Sequence, residues 1–115
     1  MRPAALDAPT LPGLAAARCR PGAPRLSDDE IARCLAVLPG WERNGEQIEK
    51  TFRFPDYPRG IAFVDAVARL AEDCDHHPDL SVHYGRCVVS LTTHDSGGSS
   101  ANDVILAAMI ERLPP

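Results

Sequence analysis

The chain has 115 residues, 44% of them hydrophobic and 24% charged, with a formal net charge of -4. That length provides one domain with a single modest core and excludes two. One lysine (Lys50) and scattered arginines exclude the clustered basic face a nucleic-acid partner needs, and no apolar run reaches the ~18 residues that span a bilayer.

Residues 1–25 are rich in Ala, Pro and Arg, with prolines at Pro3, Pro9, Pro12, Pro21 and Pro24. So little apolar surface does not offset the entropy of ordering, and a flexible extension is expected. Asp7 is its one acidic residue, which fits a transit peptide, but the paucity of Ser speaks against one. Arg2 precedes no continuous apolar segment, so no secretory signal is read here. The folded domain is expected over 26–115.

Ser27-Asp28-Asp29-Glu30 is a capping box, with Ile31, Cys34, Leu35 and Leu38 following at helical spacing until Pro39-Gly40. Trp41 to Arg43 and Gln47 to Phe54 read as strands around the turn Asn44-Gly45. Lys50 spoils the second strand by falling on its apolar face. Asp56-Tyr57-Pro58 opens a second helix whose stripe is Ile61, Val64, Val67, Ala68 and Ala71; Pro78 is expected to end it. Leu80 to Tyr84 and Cys87 to Thr93 form a second hairpin, with Cys87, Val89 and Leu91 sharing one face. After Gly97-Gly98, Ser100 and Asp103 make another capping box. The last helix is apolar at every position from Val104 to Ile110. One core has limited room for such a helix, so part of its surface is expected to meet another subunit. The order α-β-β-α-β-β-α predicts a single α+β domain, a four-stranded antiparallel sheet with helices packed on one face.

The cysteines, Cys19, Cys34, Cys74 and Cys87, form no C-x-x-C pair and match no zinc-finger or haem spacing. Cys74 and Cys87 lie in apolar patterns and read as buried thiols. A reducing, cytoplasmic location is expected.

Chemistry concentrates between Glu72 and His94, where 23 residues carry all four histidines. Imidazole titrates nearest neutrality, so the cluster suits proton transfer. Glu72 and His76 are four apart and would share the last turn of the second helix. His77, before Pro78, leaves the helix and points away from His76. His94 ends a strand on its polar face beside Thr92. Helix end and strand end would converge on one rim of the sheet, with Asp75, Asp79, Asp95 and Asp103 available to orient the rings. His83 starts a turn and has no obvious partner. The divergent His76-His77 pair lacks a supporting cysteine or His-x-His, so no metal is expected.

Glu72-x-x-x-His76-His77-Pro78, Tyr84, His94 and Asp103 resemble the signature of the pterin-4a-carbinolamine dehydratases. Leu91-Thr92-Thr93-His94-Asp95-x-Gly97-Gly98, Gly40-Trp41 and Phe52-x-Phe54 extend the resemblance over residues 26 to 113. It implies the same α+β fold, oligomers built from dimers (a homodimer or homotetramer), a small-molecule pterin substrate, and neither metal nor organic cofactor. The implied reaction is dehydration of a 4a-hydroxytetrahydropterin to quinonoid dihydropterin, within tetrahydrobiopterin recycling after aromatic amino acid hydroxylation. By resemblance His76, His77 and His94 are the catalytic histidines. His77, released from the helix, is the main acid–base group; His76 and His94 bind, orient and supply the second proton transfer. Glu72, Asp75, Pro78, Asp79, Thr93, Asp95 and Asp103 are the substrate-binding or supporting residues around them. For Asp103, helix capping is an equal reading. The sequence departs from the family at Leu80, where an aromatic residue, usually Trp, is common. Two alternatives accompany this reading: an interaction module acting through the last helix, and a role in pterin or molybdopterin metabolism without turnover.

Overall fold

Strand alternation fixes how the sheet lies. The computed structural model describes residues 3–114. Strands β1 (Glu42–Asn44), β2 (Gln47–Arg53), β3 (Asp79–Val82) and β4 (Arg86–Leu91) form one antiparallel sheet in the order β1-β2-β4-β3. Ile48 pairs with Leu91, Lys50 with Val89 and Phe52 with Cys87. Directly paired residues share a face, so these six side chains all point toward the helices. The helices on that face are α2 (Asp28–Leu35), α3 (Tyr57–Cys74) and α4 (Ala101–Glu111). The predicted α+β architecture and element order are what the structure has.

Lys50 is the residue that breaks the apolar pattern of β2, and its surroundings explain it. Its Nζ donates to both Glu111 carboxylate oxygens at 2.8 Å and to the Pro39 carbonyl at 2.7 Å. It also lies 4.8 Å from the centre of the Phe52 ring. The indole Nε1 of Trp41 donates to the same carboxylate at 3.2 Å. Glu111 ends α4, where the helix dipole disfavours an anion. Two donors brought by the first hairpin offset that cost and tie hairpin to helix.

Both predicted capping boxes form, at Ser27 with Glu30 and at Ser100 with Asp103. The long helix departs from expectation: α3 stops at Cys74, before Pro78. Asp75 takes the left-handed conformation at φ 48°, and the His76 and Asp75 amides donate to the Ala71 and Glu72 carbonyls at 3.1 Å. This 6→1, 5→2 pattern closes a helix without any proline, and Asp tolerates the left-handed region better than most residues. His76 is therefore outside the helix, and the expected Glu72–His76 pairing on one helical turn does not exist.

The stretch before residue 26 was expected as a flexible extension, yet the structure gives it local order. A short 3₁₀ turn (Ala4–Leu6) leads to helix α1 (Leu11–Ala16), capped by the Thr10 hydroxyl accepting from the Gly13 amide at 3.1 Å. Thr before a helix with Pro in its first turn is a start signal that the many prolines obscure. Leu6 and Leu14 are buried at 2% and 0% exposure, with α1 packed along α4. Nine of the eleven α4 residues are buried as a result. The surface that the sequence offers to a second subunit is thus covered, within one chain, by the N-terminal segment.

Leu14→Ala should lower unfolding stability by about 2–5 kcal/mol, the range for a buried leucine, read from urea denaturation. A loss under roughly 0.5 kcal/mol, typical of surface positions, would mean that α1 does not pack on α4.

Candidate functional site

The site grows from a carboxylate that water does not reach. Asp103 is the third residue of α4 and has 0% exposure. Its Oδ2 accepts from the Ser100 amide at 2.8 Å and from the Thr93 hydroxyl at 2.8 Å. Its Oδ1 lies 2.6 Å from Nε2 of His76, whose side chain is 12% exposed. Ser100 Oγ stands 2.7 Å from Thr93 Oγ1. Thr93 spends its hydrogen on Asp103, so Ser100 donates to Thr93, and its own oxygen accepts from the Asn102 amide at 3.2 Å. Three donors, from the end of β4, the start of α4 and the loop after α3, meet at this one carboxylate.

A carboxylate only accepts, so Asp103 holds the hydrogen of His76 on Nε2 and leaves Nδ1 as the ring's lone-pair nitrogen. His77 is arranged in parallel but in water. Its Nε2 lies 2.9 Å from Glu72 Oε1, with side chains 55% and 78% exposed. Glu72 therefore serves His77 rather than the expected His76, because the chain turns at Asp75 before either histidine. Asp103 serves His76 from across the fold, a pairing with no signal in sequence spacing.

His94 begins a 3₁₀ turn (His94–Ser96) after β4 and is exposed. It lines an open cavity of about 400 Å³ with Asn44, Glu46, Gln47 and Thr92. Among the described residues no hydrogen bond joins His94 to His76 or His77. The polar residues of the first hairpin turn were read from sequence as a turn alone. The Thr92 hydroxyl, donating to the Glu46 carbonyl at 2.7 Å, brings them there, and alternation on β4 carries no hint of that long-range bond. Gly98 matters locally: a Cβ there would run into the Glu46 carboxylate, which pairs with Arg25 at 2.9 Å. Asp75, Asp79 and Asp95 are exposed, with Pro78 half-buried, and no hydrogen bond holds these aspartates to a histidine among the described residues. His83 contacts Ser81 Oγ at 3.0 Å, apart from the other rings.

Among the described residues no group of three or more His, Cys, Asp or Glu side chains is placed to hold a metal ion, and no helix is long and apolar enough to cross a membrane. A larger cavity, about 570 Å³, lies elsewhere, walled by Phe52, Phe54, Phe63 and Ile110. Its lining contains no histidine; its one carboxylate, Glu111, is the group paired with Lys50.

The family model described as pterin 4 alpha carbinolamine dehydratase matches residues 24–113. A Stenotrophomonas maltophilia protein provisionally named pterin-4-alpha-carbinolamine dehydratase is 47% identical over 110 residues, covering 88% of this chain and 95% of its own. One of the same provisional name from Chromobacterium violaceum is 47% identical over 97 residues, covering 83% and 90%. Among solved structures, a transcriptional coactivator/pterin dehydratase from Brucella melitensis superposes with a TM-score of 0.73 at 32% identity, covering 76% of this chain and 95% of that one.

Asp103→Ala should cost about 2–5 kcal/mol of unfolding stability, because the Ser100 amide, the Thr93 hydroxyl and His76 Nε2–H lose their shared acceptor. Chemical denaturation of the purified variant measures it. A cost below about 1 kcal/mol would mean that water replaces the carboxylate and the site is not closed.

Proposed function

The chain belongs to the pterin 4 alpha carbinolamine dehydratase family, and from that premise we propose that it dehydrates a 4a-hydroxytetrahydropterin by histidine acid–base catalysis. The observation that carries the proposal is the 2.6 Å contact between buried Asp103 and His76, next in sequence to an exposed second imidazole. A carbinolamine bears hydroxyl and nitrogen on one carbon. The N5 lone pair expels the 4a hydroxyl only if that oxygen is protonated as it leaves, and the N5 hydrogen must go to a base. The products are water and the quinonoid dihydropterin, with no change in overall oxidation level. His77, open to solvent, donates as the imidazolium from Nδ1 to the departing oxygen while Glu72 keeps its Nε2 hydrogen, and the cycle closes when solvent returns a proton to His77 and removes one from His76. His76 Nδ1 takes the N5 proton while Asp103 balances the resulting imidazolium, as carboxylates do in other imidazole relays. His94 orients the substrate from the cavity beside it, whose roughly 400 Å³ falls within the usual range for small-molecule sites.

Glu72 and Thr93 support these roles by holding His77 and Asp103. Asp75, Pro78, Asp79 and Asp95 frame the approach to them. We place the activity in cytoplasmic tetrahydrobiopterin recycling, carried out by a homodimer or homotetramer. A second reading, an interaction module working through α4, draws on the similarity to the Brucella melitensis transcriptional coactivator/pterin dehydratase. It requires α4 to shed its cover, since Ile105 is fully buried and Met109 half-buried.

Stopped-flow absorbance should show that the protein accelerates loss of a 4a-hydroxytetrahydropterin equally with and without chelator. Folded His77→Ala should lose about 10²-fold or more of that acceleration, the usual scale of one acid–base group. No acceleration by folded wild type would overturn the enzyme reading in favour of the α4 interaction module, which predicts a heteromeric complex sensitive to substitution at Ile105 or Met109 but not at His77.

A further inference from the structure

The cavity beside His94 contains a carboxylate that the proposed chemistry leaves without a task. Glu46 lines it together with Asn44, Gln47, Thr92, His94 and Gly98, and among the described residues of that wall it is the one acid. The other polar side chains are already engaged. The amides of Asn44 and Gln47 each donate to Glu49 at 3.1 Å, and the Thr92 hydroxyl spends its hydrogen on the Glu46 carbonyl at 2.7 Å. Glu46 and His94 are the ionisable groups that face a ligand there.

The Glu46 carboxylate is held in place from three sides. Thr92 ties its backbone to the end of β4, with a longer contact from the Ser99 hydroxyl at 3.4 Å. Arg25 Nη2 donates to Glu46 Oε2 at 2.9 Å. Arg25 is itself fixed, bridged to Ser100 and followed by a Leu26 amide that donates to the Ser99 carbonyl at 2.8 Å. Gly98 lets the two charged groups close across it: a Cβ there would run into Oε2 and stand 3.1 Å from Arg25 Nε. The carboxylate therefore lies against the part of the cavity wall that Gly98 forms. Its side chain is 60% exposed, and Oε1 with one lone pair of Oε2 remains open to a donor.

We infer that Glu46 selects the substrate by accepting two hydrogen bonds from the pyrimidine edge of the pterin, from its 2-amino group and its N3–H. The inference rests on the pterin reading of this site and adds a recognition residue to it. A pterin presents those two donors side by side, as a guanidinium does when it meets a carboxylate with two parallel bonds. Each oxygen takes one hydrogen while Arg25 keeps its bond to Oε2, so Arg25 is a positioning residue. An analogue with a carbonyl in place of the amino group sets an acceptor against an anion, and a site built to accept rejects it. The bound edge is remote from C4a and N5, so Glu46 governs selectivity without touching the reacting atoms.

The test is anaerobic fluorescence titration of the folded, full-length protein with 7,8-dihydropterin and with 7,8-dihydrolumazine, its 2-oxo analogue. Neither carries a 4a hydroxyl, so binding is read without turnover. Wild type should bind the dihydropterin about tenfold or more the tighter, the scale of a hydrogen bond to a charged group. Glu46→Gln turns one acceptor into a donor; it should weaken dihydropterin binding by a similar factor and bring the two affinities together. Arg25→Gln leaves both acceptors in place and should weaken binding by less, with the preference retained. Circular dichroism establishes that each variant is folded, and the wild-type comparison needs no variant. Equal binding of the two ligands by wild type, or an unchanged preference in folded Glu46→Gln, would overturn the role of Glu46 and leave the enzyme reading standing. Binding of neither ligand by wild type would overturn the pterin reading as well, so the two failures are distinguishable.

Discussion

A carboxylate placed at the start of an apolar helix and shut off from water has to be met by donors, because an unpaired buried charge costs far more than a lost hydrogen bond. In this fold that requirement is satisfied from three directions. Ser100 answers with its own amide, as any capping box does, and Thr93 and His76 answer with side chains. The helix dipole adds a favourable field, since Asp103 sits in the first turn. Once this carboxylate is buried, the end of β4, the beginning of α4 and the loop after α3 have to lie together. The position of His76 is therefore set by a demand of stability, and the proposed catalytic arrangement comes with it.

The same helix poses the opposite problem at its other end. Glu111 is a carboxylate in the last turn, where the dipole is unfavourable, and Lys50 and Trp41 supply the compensating donors. Between those two charged ends α4 is apolar nearly all round and needs cover on every side. The sheet and α3 cover part, and Leu6 and Leu14 of the N-terminal segment cover more. Cys19, with the backbone of Arg20 bonded to the Asn102 side chain, continues that cover toward the buried carboxylate. One element thus organises the core, the site and the N-terminal segment, because its sequence leaves almost no face for water.

Features governed by near neighbours were legible in the sequence, whereas those governed by distant ones were not. The capping boxes at Ser27 and Ser100, the Asn44-Gly45 turn and the inward face of Cys87, Val89 and Leu91 follow from spacing of two, three or four residues. The end of α3 was misjudged because Pro78 is a conspicuous stop signal, while a left-handed Asp75 closing on the carbonyls of Ala71 and Glu72 leaves a fainter trace. That error moved His76 onto the wrong partner. Asp103 was singled out by its place in a capping box, but its bond to His76 joins residues 27 apart and no local pattern encodes it. The order of the N-terminal segment depends on α4 being available to receive Leu14, so composition alone suggested none. Lys50 was visible as an anomaly, and only Glu111 explains it.

The two carboxylate–imidazole pairs differ in one respect that bears on the proposed chemistry. Both hold the hydrogen of the ring on Nε2, but Asp103–His76 is nearly closed to water and Glu72–His77 is open to it. An exposed pair is screened and worth little, about 0–1 kcal/mol, so it restrains His77 weakly and leaves its protons in rapid exchange with solvent. A closed pair fixes ring orientation and acts through a lower effective dielectric, where a charge formed on His76 is strongly felt by Asp103. A dehydration needs one group of each kind. The leaving hydroxyl requires a donor that is replenished between turnovers, and water reaches His77 to do that. The ring-nitrogen proton requires a base held at one angle, with its developing charge balanced as it forms. His76 has both conditions built in by the carboxylate that the fold had to bury.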